Sequence, residues 1–363
     1  MAKKKQGPTG SLMERMLKNE GQYSSVLADS DFFEKKMIAT TPIPVINIAL
    51  SGSINGGFNS GPTLVCGESR TFKTGICLLN LKTFLDTYED GIANFYDNEF
   101  GAASLFKAFG IDTKRVIHKP FKDIEELKHI ISLDLEELDG RNDKIFMMID
   151  SIGQAASRKE REDAVSDNVV ADMTRAKALN SFWRIVTPQL TLKNVPLFGI
   201  NHSYKTLERF SKDVMSGGTK GLLAADTVWF TTRAQIKKEG GPLEGWTFKL
   251  KAYKSRYIKE GSIIPYEILY DGGFSTYGGL FEIALVLGFV QAPKQGWYIR
   301  PMVEGDKSWR KAECTTEEWW QPILEDAEFH DAVENLYKLD NGLLIKQEVV
   351  EQLDKAIENA AAE

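Results

Sequence analysis

The chain has 363 residues and a formal net charge of −6 at pH 7, with 42% apolar and 26% charged residues. This length predicts about two domains, and the composition excludes a disordered or collagen-like chain. No run of about 18 consecutive apolar residues occurs, so no membrane-spanning helix is expected. The basic N-terminus lacks a following apolar segment, which argues against a secretory signal. Three cysteines without CxxC spacing predict neither a zinc site nor a disulfide framework, as expected for a cytoplasmic protein.

Residues 1–35 are predicted to form an N-terminal arm. Ser11 is a candidate N-cap for a short helix within this arm. Phe32 and Phe33 form an apolar pair in an otherwise polar stretch, and such a pair can pack on its own domain or on a neighbouring molecule.

From about residue 44, short apolar runs alternate with helical patterns. Runs rich in branched and aromatic residues are typical of buried strands. The alternation predicts an α/β fold with a mostly parallel sheet covered by helices on both faces. An apolar stripe from Val169 to Val186 predicts the clearest helix, which Pro188 is expected to end. The predicted strands are Pro62–Cys66, Ala93–Asp97, Ile145–Asp150, Val195–Ile200 and Thr227–Thr231.

The C-terminal third does not continue the alternation of strands and helices. Trp246–Tyr253 and Ile263–Tyr270 lie close together in the chain and predict an antiparallel extension. Beyond them, Leu280–Leu287 is a predicted helix, residues 296–299 form a short strand, and four of the seven tryptophans fall between 297 and 320. The predicted organisation is an arm at 1–35, a core at 36–275, a small α/β lobe at 276–345 and an acidic tail at 346–363.

A candidate phosphate-binding loop joins the first predicted strand to an apolar helix. In that context backbone N–H groups and the helix dipole point at phosphate oxygens. Lys73 would reach the β- and γ-phosphates, and Thr74 would offer its hydroxyl to Mg²⁺. The alternative is an ordinary strand–turn–helix corner with a lysine. The loop residues are Gly67, Glu68, Ser69, Arg70, Thr71, Phe72, Lys73, Thr74 and Gly75.

Phe72 departs from the usual loop pattern, GxxxxGK[ST], which has glycine at this position. An aromatic residue at positive φ would cost about 1–3 kcal/mol. We therefore expect Phe72 to adopt a negative φ, with its ring packed outward.

Polar side chains follow three other predicted strands. Asp150 ends an apolar run and is a candidate for the Mg²⁺ site. Glu99 follows another strand and is a candidate to orient or deprotonate an attacking water. Asn201 and His202 end a third strand. Parallel α/β sheets bind ligands at the carboxyl ends of their strands, so the sequence predicts a nucleotide site at that edge.

Taken together, the sequence resembles the RecA superfamily of homologous-recombination ATPases, and within it the recombinases of T-even-type bacteriophages. The resemblance extends from about Phe32 to Tyr337. The stretches that carry it are Asn47–Gly52, Ser69–Thr74, Tyr96–Gly101, Ile149–Ser151, Asp172–Lys177, Arg184–Pro188, Ile200–His202, Lys254–Arg256, Asp271–Gly273 and Gly296–Tyr298.

The resemblance implies an ATP-dependent DNA strand-exchange recombinase with a RecA-like core. Such proteins assemble as helical filaments on single-stranded DNA, bind double-stranded DNA, and hold Mg²⁺ and ATP between protomers. It further implies a single-strand-binding protein and a recombination mediator as partners, and action in the host cytoplasm. In this reading Glu99, Lys73 and His202 are catalytic or switch residues, while Lys254 and Arg256 reach the ATP of a neighbouring protomer.

Two segments are expected to contact DNA. Basic residues interleaved with an aromatic residue and glycines suit backbone contact and base stacking. The first is a loop at about 157–167, for which a solvated helix face is the alternative, and the second is a longer loop at about 203–221. The candidate residues are Arg158, Lys159, Arg161, Arg175, Lys205, Arg209, Phe210, Lys212, Gly217, Gly218, Thr219 and Lys220.

Some points stay open at the level of sequence. Either Leu105 or Phe106 could stack on the adenine. The arm could dock on a neighbouring protomer, and the tail from residue 346 could compete with DNA for basic loops. A hexameric helicase-type ATPase and a non-catalytic ATP-binding filament are the alternative functions, since fold alone does not fix function.

Overall fold

The computed structural model describes residues 11–18, 23–30, 32, 37–139, 142–166, 174–206, 213–217, 220–237 and 241–339. Several predictions concern residues outside these ranges, namely those for Phe33, Val169, Arg209, Phe210, Lys212, Gly218, Thr219 and the acidic tail. Ser11 does cap a helix, α1 (Leu12–Leu17), since its hydroxyl accepts from the Glu14 N–H. Among the described residues, no helix is long and apolar enough to span a bilayer.

The described chain divides into two compact units, the first within Met1–Pro42 and Gly57–Thr232, the second within Ile43–Gly56 and Arg233–Glu363. The predicted arm, core, lobe and tail boundaries stay predictions.

The first unit is the α/β unit. Beyond α1, its elements are β1 (Gly61–Gly67), α3 (Lys73–Thr87), β2 (Ile92–Asp97), α4 (Ala103–Ala108), β3 (Val116–Pro120), α5 (Ile124–Glu137), β4 (Ile145–Asp150), α6 (Arg158–Ser166), α7 (Thr174–Leu192), β5 (Pro196–Lys205), β6 (Asp213–Met215), α8 (Lys220–Ala224) and the start of β7 (Thr227–Lys237). Helix α2 (Pro44–Ser51) belongs to the second unit.

The sheet of the first unit has the order β7-β1-β5-β4-β2-β3, with parallel neighbours throughout, and β6 pairs antiparallel with β5. Strands β1 and β4 are buried along their whole length, as expected for a sheet with helices on both faces. On one face, α5 and α7 pack against the strands. The other holds an aromatic cluster in which the Phe146 and Phe198 rings lie 5.2 Å apart. The predicted fold class and all five predicted strands are confirmed.

The local structure of this unit differs from the sequence analysis at three places. The sequence did not predict β3, because this strand at the sheet edge has no buried residue and no long apolar run. Pro188 lies inside α7, which continues to Leu192, and the following Leu190 is fully buried in the core. Burial of the last turn therefore outweighs the hydrogen bond that proline removes. The segment at 157–167, expected as a loop with a solvated helix face as the alternative, contains helix α6, which has no buried residue.

The second unit has a small antiparallel sheet and a helical lobe. Its further elements are β8 (Leu243–Ser255), β9 (Ile263–Leu269), β10 (Gly273–Phe274), α9 (Leu280–Leu287), β11 (Gln291–Lys294), β12 (Trp297–Ile299), α10 (Glu317–Leu324) and α11 (Ala327–Tyr337). β8 pairs antiparallel with β9, as predicted, and β9 pairs antiparallel with the short β10, which the sequence did not predict. Trp319, Trp320 and Phe329 are buried in the lobe, so two of its four tryptophans belong to the core.

Candidate functional site

The predicted phosphate loop lies between β1 and the N-terminus of α3, at the carboxyl edge of the parallel sheet. Close packing fixes its start, because a Cβ on Gly67 would lie 2.6 Å from Thr71 Oγ1 and 2.7 Å from Thr231 Cγ2. The Thr71 hydroxyl donates to the Glu68 carbonyl at 2.8 Å, and the Thr231 hydroxyl donates to the Thr71 carbonyl at 3.1 Å. Glu68, Ser69 and Arg70 are exposed at the tip, so the loop is anchored at its base and open to solvent.

The prediction for the Phe72 backbone was wrong. Phe72 is the N-cap of α3 and adopts φ 61°, ψ 25°, a left-handed conformation. Its ring lies against Gly75, where an added Cβ would be 2.1 Å from a ring carbon. The ring also stacks on Phe109, with centroids 6.4 Å apart and planes at 30°. In this left-handed conformation the Phe72 ring lies between Gly75, which has no side chain, and the Phe109 ring.

The Lys73 side chain is buried and turns back toward the start of the phosphate loop. Its Nζ donates to the Gly67 carbonyl at 3.1 Å and to the Glu68 carbonyl at 2.7 Å. Burial lowers the pKa of Lys73, whereas the nearby Glu99 and Asp150 carboxylates act in the opposite direction. The ammonium group is therefore held inside the loop by backbone carbonyls, which an anion entering the loop could replace.

The side chains of Thr74 and Asp150, both predicted for the Mg²⁺ site, are in contact. The Thr74 hydroxyl donates to Asp150 Oδ2 at 3.0 Å, and this hydrogen bond connects the first turn of α3 to the end of β4. Asp150 is 5% exposed, and burial, with a smaller effect from Glu99, raises its pKa to about 6. Hydroxyl and carboxylate oxygens are the ligands that Mg²⁺ prefers, so the chemistry of this pair fits the predicted metal. A cation there would also favour the charged form of Asp150.

Glu99 and His202 lie in direct contact. His202 Nε2 is 3.0 Å from Glu99 Oε1. The Ser151 hydroxyl also donates to Glu99 Oε1. The hydrogen bond from His202 is the largest effect on Glu99 and lowers its pKa, so Glu99 is ionised at neutral pH. The sheet order explains this contact, because β2, which precedes Glu99, and β5, which carries His202, both pair with β4.

Three residues at this site were missed by the sequence reasoning. Asp97 Oδ1 accepts hydrogen bonds of 2.9 Å from the backbone N–H groups of both Glu99 and Phe100. Asp97 Oδ2 lies 3.1 Å from His118 Nε2. Ser151 holds the Glu99 carboxylate directly. An aspartate two residues before a candidate catalytic residue is an Asx-turn signal that could have identified Asp97, but the contribution of His118 from β3 required the fold.

A cavity of about 330 Å³ adjoins the Glu99 turn. Phe106 lines this cavity and packs on Phe95, with ring centroids 5.0 Å apart. Leu105, the other candidate for base stacking, is not among the lining residues. The lining is Phe95, Asp97, Phe100, Ala103, Phe106, Thr113, Val116 and His118.

The candidate DNA-binding residues of the first segment, and Arg175 beyond it, lie on helices. On α6, Arg158 and Arg161 pair with the buried Asp123, and Lys159 pairs with Asp163 at 2.8 Å. On α7, the Arg175 guanidinium donates from Nη2 to the Gly153 carbonyl at 2.7 Å and from Nε to the Ala155 carbonyl at 2.8 Å. Arg175 is therefore held against the segment that follows β4, whereas the three cations of α6 are paired with carboxylates.

The second candidate segment begins as an extension of β5. Lys205 is exposed at the end of β5 and pairs in register with Asp213 of β6. Gly217 has φ +86°, and an added Cβ would lie 2.7 Å from a methyl group of Leu179. Lys220 begins α8. The hairpin therefore leaves the sheet directly after His202.

Lys254 and Arg256 belong to the second unit. Lys254 is half-buried near the end of β8, and Arg256 follows the strand and is exposed. They are separated by one residue, Ser255, whose hydroxyl accepts from the backbone N–H groups of Tyr257 and Ile258. That hydroxyl therefore fixes the turn immediately after the strand.

The parallel sheet, the phosphate loop and the carboxylates at the neighbouring strand ends define a RecA-like core. A family model described as "Bacteriophage T4, Recombination and repair protein, C-terminal domain" matches residues 277–333. The recombination and repair protein of Enterobacteria phage T4 is 39% identical over 360 residues, which cover 96% of this chain and 92% of the phage protein. The RecA protein of an Arthrobacter species is 24% identical over 69% of this chain and 70% of its own length. The chain therefore belongs to the UvsX family of phage recombination and repair proteins, and the predicted relationship is confirmed.

Proposed function

We propose that the protein is an ATP-dependent DNA strand-exchange recombinase that assembles as a helical filament on single-stranded DNA and pairs it with double-stranded DNA. The observation that carries this proposal is the 39% identity over 96% of the chain to a phage recombination and repair protein. The arrangement of Lys73, Thr74, Asp150 and Glu99 at one edge of the sheet supports ATP hydrolysis as the accompanying activity.

In this proposal the loop from Gly67 to Gly75 binds the triphosphate. The buried ammonium of Lys73 exchanges its backbone carbonyl partners for phosphate oxygens, which restores full charge compensation to a buried cation. Thr74 and Asp150 would hold Mg²⁺, which supplies positive charge to the phosphates when bound. Phe106 would contribute the apolar surface for the base, since it lines the aromatic cavity next to the Glu99 turn.

Glu99 acts on the attacking water. Its carboxylate is ionised because His202 and Ser151 donate to Oε1, and Oε2 accepts no hydrogen bond from the described residues. Oε2 would accept a proton of the water and orient its lone pair toward the γ-phosphate. His202 lies between Glu99 and the hairpin that follows β5, so a change at the phosphates would pass through it to the second DNA-binding segment.

Assembly would complete the site. Lys254 and Arg256 would neutralise the developing phosphate charge on the ATP of the adjacent protomer, which makes hydrolysis depend on filament formation. Along the filament axis, the basic residues of α6, α7 and the 203–221 segment would contact the DNA backbone. The family relationship further suggests a single-strand-binding protein and a recombination mediator as partners in the host cytoplasm.

The test is ATP turnover measured with and without single-stranded DNA across a titration of protein concentration. We expect strong stimulation by DNA and a steep dependence on protein concentration, because each active site needs a neighbour. Joint-molecule formation between single-stranded and homologous double-stranded DNA should follow the same dependence. ATP turnover that depends neither on DNA nor on protein concentration would refute the recombinase proposal and favour an ATPase that is active as a monomer.

A further inference from the structure

The phosphate loop of this protein contains a backbone conformation that its residue type disfavours. Phe72 has φ 61° and ψ 25°. The left-handed region costs an L-residue free energy, and a bulky side chain populates it only where its surroundings hold it there. Because Phe72 directly precedes Lys73, whatever holds Phe72 also sets the direction in which the helix and its phosphate-binding N–H groups begin.

Two contacts of the Phe72 ring can hold the backbone in this state. The first is the surface of Gly75, which leaves no room for a side chain because a Cβ there would lie 2.1 Å from the ring. The second is the Phe109 ring, stacked at 6.4 Å with planes 30° apart. Both rings are half-buried. Gly75 leaves room for the Phe72 ring, whereas Phe109 stabilises the ring by stacking on it.

Phe109 also connects the loop to the segment that follows Glu99. It is the C-cap of α4, and its N–H donates to the Leu105 carbonyl at 2.9 Å. Helix α4 carries Phe106, which lines the aromatic cavity beside Glu99. The stack is therefore a direct side-chain link between the phosphate loop and the helix that borders this cavity.

We propose that Phe109 is a positioning residue for nucleotide binding, which holds the phosphate loop in its binding conformation through its stack on Phe72. Phosphate loops usually have glycine before the lysine, and glycine adopts positive φ without strain. In this chain that position is Phe72, and the stack on Phe109 stabilises its positive φ instead. The inference rests on the proposed function, because it requires that the loop binds a nucleoside triphosphate. Phe109 does not touch the nucleotide in this proposal and acts only through Phe72.

The test is a double-mutant cycle on the full-length protein, with Mg²⁺ and a fluorescent ATP analogue as the probe. The variants are Phe109→Ala, Phe72→Gly and the double variant. A stacked aromatic pair corresponds to about a 2- to 12-fold change in an equilibrium constant, so Phe109→Ala should raise the Kd by that factor. In the Phe72→Gly background, where glycine adopts positive φ freely and no ring is present, Phe109→Ala should leave the Kd unchanged. An equal effect in both backgrounds, or no effect in either, would overturn the proposal.

Conservative variants keep the test decisive if Phe109→Ala does not fold. Phe109→Tyr retains the ring and should bind the probe like the wild type, whereas Phe109→Leu retains apolar bulk without a stacking face and should bind more weakly. Equal affinities for these two variants would overturn the proposal. Lys73→Ala provides the separate check on the proposed function. If wild-type protein and Lys73→Ala bind the probe equally, the loop is not the nucleotide site and the proposed function fails first.

Discussion

Replacing Asp150 with asparagine should stabilise the protein above pH 6 when neither metal nor nucleotide is present. Burial raises the Asp150 pKa from 3.8 to about 6 in the folded state. Between these two values the native protein holds a proton that the unfolded chain has released, so folding stability falls as the pH rises. Each pKa unit is worth about 1.4 kcal/mol, which gives a loss of about 3 kcal/mol that is complete above pH 6.

Asparagine removes this loss because it is neutral at every pH, and its carbonyl oxygen can still accept from Thr74. In EDTA, urea unfolding followed by tryptophan fluorescence should show Asp150→Asn more stable than the wild type by up to about 3 kcal/mol at pH 7.5. At pH 4.5 the advantage should shrink to within about 1 kcal/mol, since most of the wild-type Asp150 is then protonated in the native state.

The exposed Asp331 on α11 provides a matched control, and Asp331→Asn should change stability by the same small amount at both values of pH. If Asp150→Asn instead has the same effect at pH 4.5 and 7.5, or is the less stable protein at pH 7.5, Asp150 does not carry the burial cost assigned to it.

Four other changes test the remaining parts of the site and core. Lys73→Ala should abolish ATP hydrolysis, and unchanged turnover would exclude the phosphate-loop assignment. Glu99→Gln should still bind ATP and DNA but hydrolyse about 10²- to 10⁴-fold more slowly; loss of ATP binding instead would make Glu99 structural. Lys254→Ala protein mixed with Lys73→Ala protein should recover part of the turnover, because each supplies what the other lacks, and complete failure of filaments that still assemble would argue against a shared site. Phe198→Ala should lower the free energy of unfolding by about 3–5 kcal/mol, because its fully buried ring packs on Phe146; a loss below about 1 kcal/mol in urea unfolding would contradict that packing.

In the C-terminal lobe, the composition indicates which residues are buried but does not show which residues contact each other. The sequence indicated a Trp-rich lobe, and Trp320 and Phe329 do form its core. It did not indicate that Arg300 is buried, with Nη2 3.0 Å from Asp306 Oδ1 and Nη1 donating to the Trp319 carbonyl at 2.6 Å. A buried cation is tolerated because these acceptors converge on it. That convergence needs both a turn that brings Asp306 back to Arg300 and the packing of α10, which carries Trp319.

The sequence by itself determined the alternation of strands and helices, since buried parallel strands require continuous apolar runs such as Ile145–Asp150. It also determined which polar residues end those strands, and the shared carboxyl edge then brings Lys73, Asp150, Glu99 and His202 into one site. Only the tertiary structure decided the left-handed turn at Phe72, because its ring is held by Gly75 and by Phe109 from another helix. The edge strand β3 and the contact of its His118 with Asp97 were likewise decided by packing, since an exposed strand carries no apolar periodicity and a hydrogen bond between distant segments leaves no local pattern.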